Sequence, residues 1–350
     1  PTKHTPSTTR TDKPGRMQMA DLAKLAGVSA STVSRALSGS ELISVETRER
    51  IQTLARQFNY TVNRIATDLR SGVKRTIAVV VPYEEASRQS FADPFLHGMI
   101  SSLADALTER GYEMLLSRID ANRLDAAAAL IDGGRAAGLI LIGQWRHHDQ
   151  LNAMAARGVP LVVWGGRLPH QHYSIVGGDN LRGGRLVGEH LIAEGRGKPV
   201  FLGDVGLPEV ALRHRGFVAA LRHHGIGLPA RQRASAPFLA ESGRRATLAL
   251  LDANPDLDSV FASSDLLAMA AIGALRERGR LVPDDVAVVG YDDVELAAHF
   301  NPPLSTVSQP IHQGGTALVE HLFRLLEGQV VPDPPLLETR LIVRQSSHSN

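Results

Sequence analysis

One short run, Ser29, Ala30, Ser31, Thr32, Ser34 and Arg35, carries the chemistry of nucleic-acid recognition. Hydroxyls both donate and accept hydrogen bonds, and a guanidinium forks onto a base edge or a phosphate. A helix must present them, and Met19–Leu37 reads as two short helices broken by a tight turn. Leu22, Leu25, Val28, Val33 and Leu37 supply a small apolar core at helical spacing. Gly27 permits the left-handed backbone of a sharp turn, and Ser29 stands where an N-cap hydroxyl satisfies orphan amides. Most side chains on the second helix are short enough for close approach to a duplex. The pattern is a helix-turn-helix, and it makes double-stranded DNA the first partner to consider.

Charge points the same way. The chain of 350 residues has a net charge of +2, but residues 1–75 carry +7 and the remainder −5. A basic head on a mildly acidic body is the footprint of a DNA-binding module joined to something else. Residues 1–18 are expected to be a disordered tail, followed by a helix-turn-helix domain over 19–62 and a hinge over 63–75. A third helix begins at the N-cap Ser44, with Ile51, Leu54, Ala55 and Phe58 at helical spacing. The absence of cysteine excludes disulfides and thiolate chemistry. No apolar run approaches the ~20 residues of a membrane span, so a cytoplasmic protein is expected. His147–His148 and His223–His224 have the wrong spacing for a metal site, because adjacent helical residues do not share a face. No nucleophile elbow, phosphate-cradling loop or His-Glu-x-x-His motif is present, so neither an enzyme nor a cofactor is expected.

From Thr76 the pattern alternates between strands and helices. Ile77–Pro82 is a continuous β-branched run of the kind buried on both faces of a parallel sheet. Further strands are expected at Met114–Ser117, Gly138–Ile142, Pro160–Trp164, Pro199–Gly203, Ser259–Ala262 and Val286–Gly290. The helices between them end at Gly111, Gly195, Gly225, Gly279 and Gly328. This alternation predicts a body of two doubly wound α/β lobes, with a ligand cleft between them.

Several landmarks, in order, resemble the lactose/galactose repressor (LacI/GalR) family of bacterial transcription regulators. The head carries A-x-x-A-G-V-S-x-x-T-V-S-R as Ala23 through Arg35. The body carries Asp93-Pro94-Phe95, Gly111-Tyr112, Gly138-Leu139-Ile140, Asp179-Asn180, and Arg213 with Gly216-Phe217. Ser264-Asp265, Gly290-Tyr291-Asp292-Asp293 and Pro302 through Val307 follow. The resemblance spans about residues 19–345. It implies a helix-turn-helix head and a periplasmic-binding-protein-like effector domain over 76–346. Its first lobe would comprise about 76–177 and 308–335, its second about 178–307 and 336–346. A homodimer on a pseudo-palindromic operator is expected, since the chain has no room for a tetramerising heptad tail.

On the DNA side the resemblance makes Arg35 the base-reading residue, with a phosphate contact as the other reading. Ala30 and Ser31 fall at the positions that vary between relatives. Ser29, Thr32 and Ser34 would bond phosphates or the helix backbone. Asn63–Leu69 matches a hinge that folds on DNA, Leu69 wedging into the minor groove with Ala66 one turn earlier. Val62 stands where relatives have Pro before the hinge Asn, which leaves the unbound hinge freer.

For the body, the resemblance makes Arg213 and Asp292 effector-clamping groups, with Asp265, after a strand end at a helix start, a further candidate; the other reading of each is an interlobe ion pair or helix cap. Phe95, Trp145, Trp164 and Phe300 could form platforms for a sugar ring, and Gln309 lies at a lobe crossover. Many relatives place an acidic ligand after the fourth strand, but Gly165-Gly166-Arg167 follows here, and Arg167 could favour an acidic or larger ligand. The expected function is an allosteric repressor controlled by a sugar or sugar derivative. A regulator responding to a nucleobase, or a solute receptor without a DNA role, would share the body.

Overall fold

The computed structural model describes residues 17–58, 60, 74–84, 91, 93–329, 332 and 334–348. The chain divides into two compact units, with the boundary at Lys74.

The head packs α1 (Met19–Ala26), α2 (Ala30–Leu37) and α3 (Val45–Gln57) around Leu22, Ala26, Val33, Ala36, Ile51 and Ala55. Gly27 closes α1 at φ 64°, and the Ser29 hydroxyl accepts from the Thr32 amide at 3.1 Å to open α2. Ser44 opens α3 in the same way. Two expected core residues point outward: Leu25 is 53% exposed and Phe58 47%. In α1 the buried stripe is Leu22, Ala23 and Ala26, and Leu25 lies about 100° round the helix from its centre.

The body begins with β1 (Thr76–Tyr83), α4 (Pro94–Glu109), β2 (Glu113–Asp120), α5 (Ala128–Asp132) and β3 (Gly138–Ile142). Then come α6 (His148–Ala156), β4 (Leu161–Trp164) and β5 (Ser174–Val176). These strands form a parallel sheet in the order β2-β1-β3-β4-β5. The β1 run divides between its two faces: Ile77, Val79 and Val81 join one core, Ala78 and Val80 the other. That split is why the run is unbroken rather than alternating.

The second lobe comprises α7 (Asn180–Ala193), β6 (Pro199–Leu202), α8 (Pro208–His223), β7 (Arg233–Ala234), α9 (Ala240–Ala253) and β8 (Ser259–Ala262). It continues through α10 (Asp265–Glu277), β9 (Ala287–Asp292), α11 (Glu295–His299) and β10 (Ser305–Ser308). After it, α12 (Ile311–Leu326) packs its Leu318, Val319 and Leu322 into the first lobe's core beside Val162 and Trp164. β11 (Arg340–Ile342) then returns to pair antiparallel with β10. The second sheet runs β11-β10-β9-β8-β6-β7 and is otherwise parallel. In both sheets the strand order reverses internally, at β1/β3 and at β8/β6, which leaves a crevice beyond the strands' carboxyl ends. The five helix-ending glycines all adopt left-handed φ, between 70° and 75°.

Candidate functional site

The head exposes Ser29, Ala30, Ser31 and Arg35 at the surface of α2, while Thr32 and Ser34 are half-buried. Ser29 Oγ lies 2.7 Å from Ser31 Oγ and 2.8 Å from Thr32 Oγ1, so these hydroxyls also bond one another. The Arg35 guanidinium has no partner among the described residues and is the one long cationic side chain on α2. Asn63, Ala66 and Leu69, with Val62, lie outside the described residues.

In the body, the start of α4 and the ends of β3 and β4 meet the start of α8 and the ends of β8 and β9 across a cleft of about 640 Å³, open mouth included. Phe95, Trp145 and Trp164 of the first lobe and Arg213 and Asp292 of the second all line it. Phe95 is placed by Asp93, whose carboxylate accepts from the Phe95 amide at 2.9 Å to start α4. Trp164 is buried beside it, the two rings 6.1 Å apart. Trp145 follows β3 with φ 51°, a conformation that costs a residue with a Cβ of order 1–3 kcal/mol.

Arg213 is held from several sides. Nε donates to Asn180 Oδ1 at 2.8 Å, Nη1 to the Ser263 carbonyl at 2.5 Å, and the guanidinium stacks 3.7 Å from the Tyr291 ring centroid. Its backbone comes close to α7 because Gly184 has no Cβ; one there would run into the Arg213 carbonyl. Nη1 stands 3.9 Å from Asp292 Oδ1, which also accepts from Gln309 Nε2 at 2.7 Å. Asp292 sits at φ 122° and Asp293 at φ 56°, so strained backbone occurs on both sides of the cleft. Burial pushes the Asp292 carboxyl well above the usual carboxylate range, although Arg213 opposes the shift.

Four residues expected at the ligand face elsewhere. Asp265 is fully buried, accepting from Thr306 Oγ1 at 2.5 Å and from the Val294 amide at 2.9 Å. It therefore braces the segment after β9, and burial lifts its pKa to about 7. Gln309 stands behind Asp292 rather than in the lining, because its side-chain amide is committed to that carboxylate. Phe300 packs against the second lobe's core. Arg167 is turned outward, donating to the Pro334 carbonyl at 3.2 Å, so it adds no positive charge to the cleft.

Gly165 has a spatial role. A Cβ there would fall 2.5 Å from Gln144 Cδ, so the glycine leaves a slot that the Gln144 side chain fills. Gln144 Oε1 accepts from the Gly166 amide at 2.8 Å, and Nε2 donates to Tyr173 Oη at 2.8 Å. The cleft also holds Leu207, Glu209 and Phe238, which no sequence motif marks, and Asp93 and Ser264, which the sequence marks only as family landmarks. Glu209 was open to detection, since it lies four residues before Arg213 on α8 and so shares its face. Phe238 precedes α9 in a loop with no periodic signal. Among the described residues no three His, Asp or Glu side chains converge as a metal site, and no helix is long and apolar enough to cross a membrane.

A helix-turn-helix unit joined to a two-lobed α/β body defines a transcriptional regulator with a small-molecule cleft, not an enzyme. The family description "Bacterial regulatory proteins, lacI family" matches residues 18–63, and "Periplasmic binding protein-like domain" matches 189–347. The HTH-type transcriptional regulator CelR of Thermobifida fusca is 36% identical over 93% of this chain and 96% of its own length. The chain belongs to the LacI family of bacterial transcriptional regulators. A solved CelR–cellobiose complex matches 95% of this chain and 100% of that one at 34% identity and TM-score 0.70. A Lac repressor dimer bound to operator and the anti-inducer ONPF matches 96% of this chain and 100% of its own at 26% identity and TM-score 0.84.

Proposed function

We propose that this regulator binds a pseudo-palindromic operator as a homodimer in the cytoplasm, and that a carbohydrate in the cleft controls the binding. The observation that carries the effector class is the cleft itself. Phe95, Trp145 and Trp164 offer apolar faces opposite Arg213, Glu209 and Asp292, which offer a donor and acceptors. A sugar ring has an apolar face and a rim of hydroxyls, and this arrangement meets both. The cellobiose bound to CelR supports the same class. At the operator, Arg35 forks onto guanine while Ala30 and Ser31 add short contacts. Ser29, Thr32 and Ser34 bond phosphates or the helix backbone. The hinge residues Asn63, Ala66 and Leu69 kink the site from the minor groove. Modest direct readout beside Arg35 places much of the specificity in that bending.

A thermal-shift screen against neutral sugars, sugar acids and nucleobases tests the effector class, with a stabilisation that grows with sugar concentration expected. Hits confined to nucleobases would overturn it. Arg35→Ala should relax preference at one base pair per half-site in a gel-shift assay, at a cost of roughly 1–3 kcal/mol of discrimination. A uniform loss across all sequences would assign Arg35 to phosphate.

A further inference from the structure

The charges around the cleft are unevenly matched. Asp93, Glu209 and Asp292 line it, and Arg213 is the one basic side chain among the described lining residues. Arg213 is already bonded to Asn180 and the Ser263 carbonyl and stands beside Asp292. Arg146, at the loop after β3, is engaged by Glu84 and Asp204. Of the three carboxylates, Asp93 caps α4 and Asp292 is held by Gln309 near Arg213. Glu209 has no ion pair among the described residues; its carboxylate accepts from its own backbone amide and, through Oε1, from the Gln144 amide 3.2 Å away across the lobes, and burial pushes its pKa above the usual carboxylate range. Gln144 is itself locked by Gly166 and Tyr173 in the slot that Gly165 leaves open, so the donor that aims Glu209 is rigidly held. Once ionised, as at pH 8, Glu209 is therefore the cleft carboxylate with the fewest cationic partners, Arg213 acting on it only at a distance.

We propose that Glu209 sets the charge selectivity of the cleft, admitting neutral hydroxyl-rich rings and turning away their anionic derivatives such as uronates and sugar phosphates. This rests on the carbohydrate reading above. A focused negative field in a narrow, low-dielectric cleft lowers the local concentration of anions, and no free cation in the lining offsets it.

The chain's two tryptophans, Trp145 and Trp164, both line the cleft, so intrinsic fluorescence reports on it without any effector. Quenching of full-length protein by iodide, caesium and acrylamide at pH 8 compares anionic, cationic and neutral probes of similar reach. In Glu209→Gln the iodide quenching constant should rise about two-fold and the caesium constant fall, with acrylamide unchanged. Glu277→Gln, at the far end of α10, removes an equal charge and should leave all three constants unchanged. A parallel rise with all quenchers would make Glu209 a strut between lobes and overturn the proposal, as would no change. Because the quenchers need no sugar, a failed sugar screen beside an iodide-specific rise would sink the carbohydrate reading and keep the charge filter.

Discussion

The first lobe meets the cleft chiefly with Phe95, Ile142, Trp145 and Trp164, whose contribution is apolar area. The second meets it with Glu209, Arg213, Ser264 and Asp292, whose contribution is direction and charge. Trp164 of the aromatic wall belongs to the first lobe's core, and Phe95 and Trp145 also pack against the second lobe's clusters. The polar wall is paired internally, through Asn180, Ser263, Tyr291 and Gln309. A ligand with one apolar face and one hydroxyl rim would touch both walls at once and so favour lobe arrangements that keep them within reach of each other. Such a ligand binds one lobe arrangement better than another, which is the requirement for shifting a population. The walls should therefore fail differently: changes in the polar wall break its internal hydrogen bonds and ion pairing along with ligand contacts, whereas a change at Trp145, the half-buried member of the aromatic wall, should cost ligand more than fold.

The largest effect is expected at Arg213. Arg213→Ala leaves Asp292 buried without its cation and empties the stack on Tyr291, so urea denaturation should show a loss of about 3–5 kcal/mol. Ligand-induced stabilisation should vanish as well. A variant that keeps wild-type stability and loses only the ligand response would break the claim that the polar wall is structural.

Asp265 sharpens the same claim through pH. Its folded pKa of about 7 lies far above the ordinary carboxylate value, so the folded state holds this proton more tightly than the unfolded chain. Stability from this group is full below the unfolded pKa and declines as pH rises toward about 7, after which the deficit is constant. Asp265→Asn cannot ionise, and its stability should fall less between pH 4 and pH 7 than that of the wild type. Equal slopes in parallel urea titrations would show that Asp265 does not titrate in that window.

Periodicity made much of the scaffold legible. The β1 run announced a doubly covered parallel strand, and glycines 111, 195, 225, 279 and 328 marked helix ends that all adopt left-handed φ. Burial direction within an element was less accessible. Leu25 and Leu22 sit three residues apart, yet only Leu22 is buried, because Ala23 and Ala26 draw the stripe to one side. Asp265 and Asp292 both stand near strand ends, and no local pattern says which turns inward; Thr306 and the Val294 amide decide it. The Gly165–Gln144 slot joins residues distant in sequence whose fit depends on volume, and single-sequence patterns carry no such information.

On the aromatic wall, Trp145 is half-buried, lines the cleft and packs only at the edge of the second lobe's core as one of its partly buried members. Trp145→Ala should weaken effector binding about ten-fold, or ~1.4 kcal/mol, and leave the urea midpoint nearly unchanged. Isothermal titration and denaturation on the same preparation separate the two quantities. A large fall in stability would erase the contrast between the walls.

The smallest effect is expected where the walls touch without ligand. Arg146 of the first lobe pairs with Asp204 of the second and with Glu84 of its own lobe, and its guanidinium lies where a Cβ on Gly206 would be. The Arg146 side chain is 40% exposed, so water and salt screen these pairs. Arg146→Ala should change stability by no more than about 1 kcal/mol. It should nevertheless raise acrylamide quenching of the neighbouring Trp145, because the rim then parts more easily, and high salt should produce part of that rise in the wild type. If the variant quenches like the wild type, the rim pairs contribute nothing to closure, and the approach of the lobes depends on what the two walls bind between them.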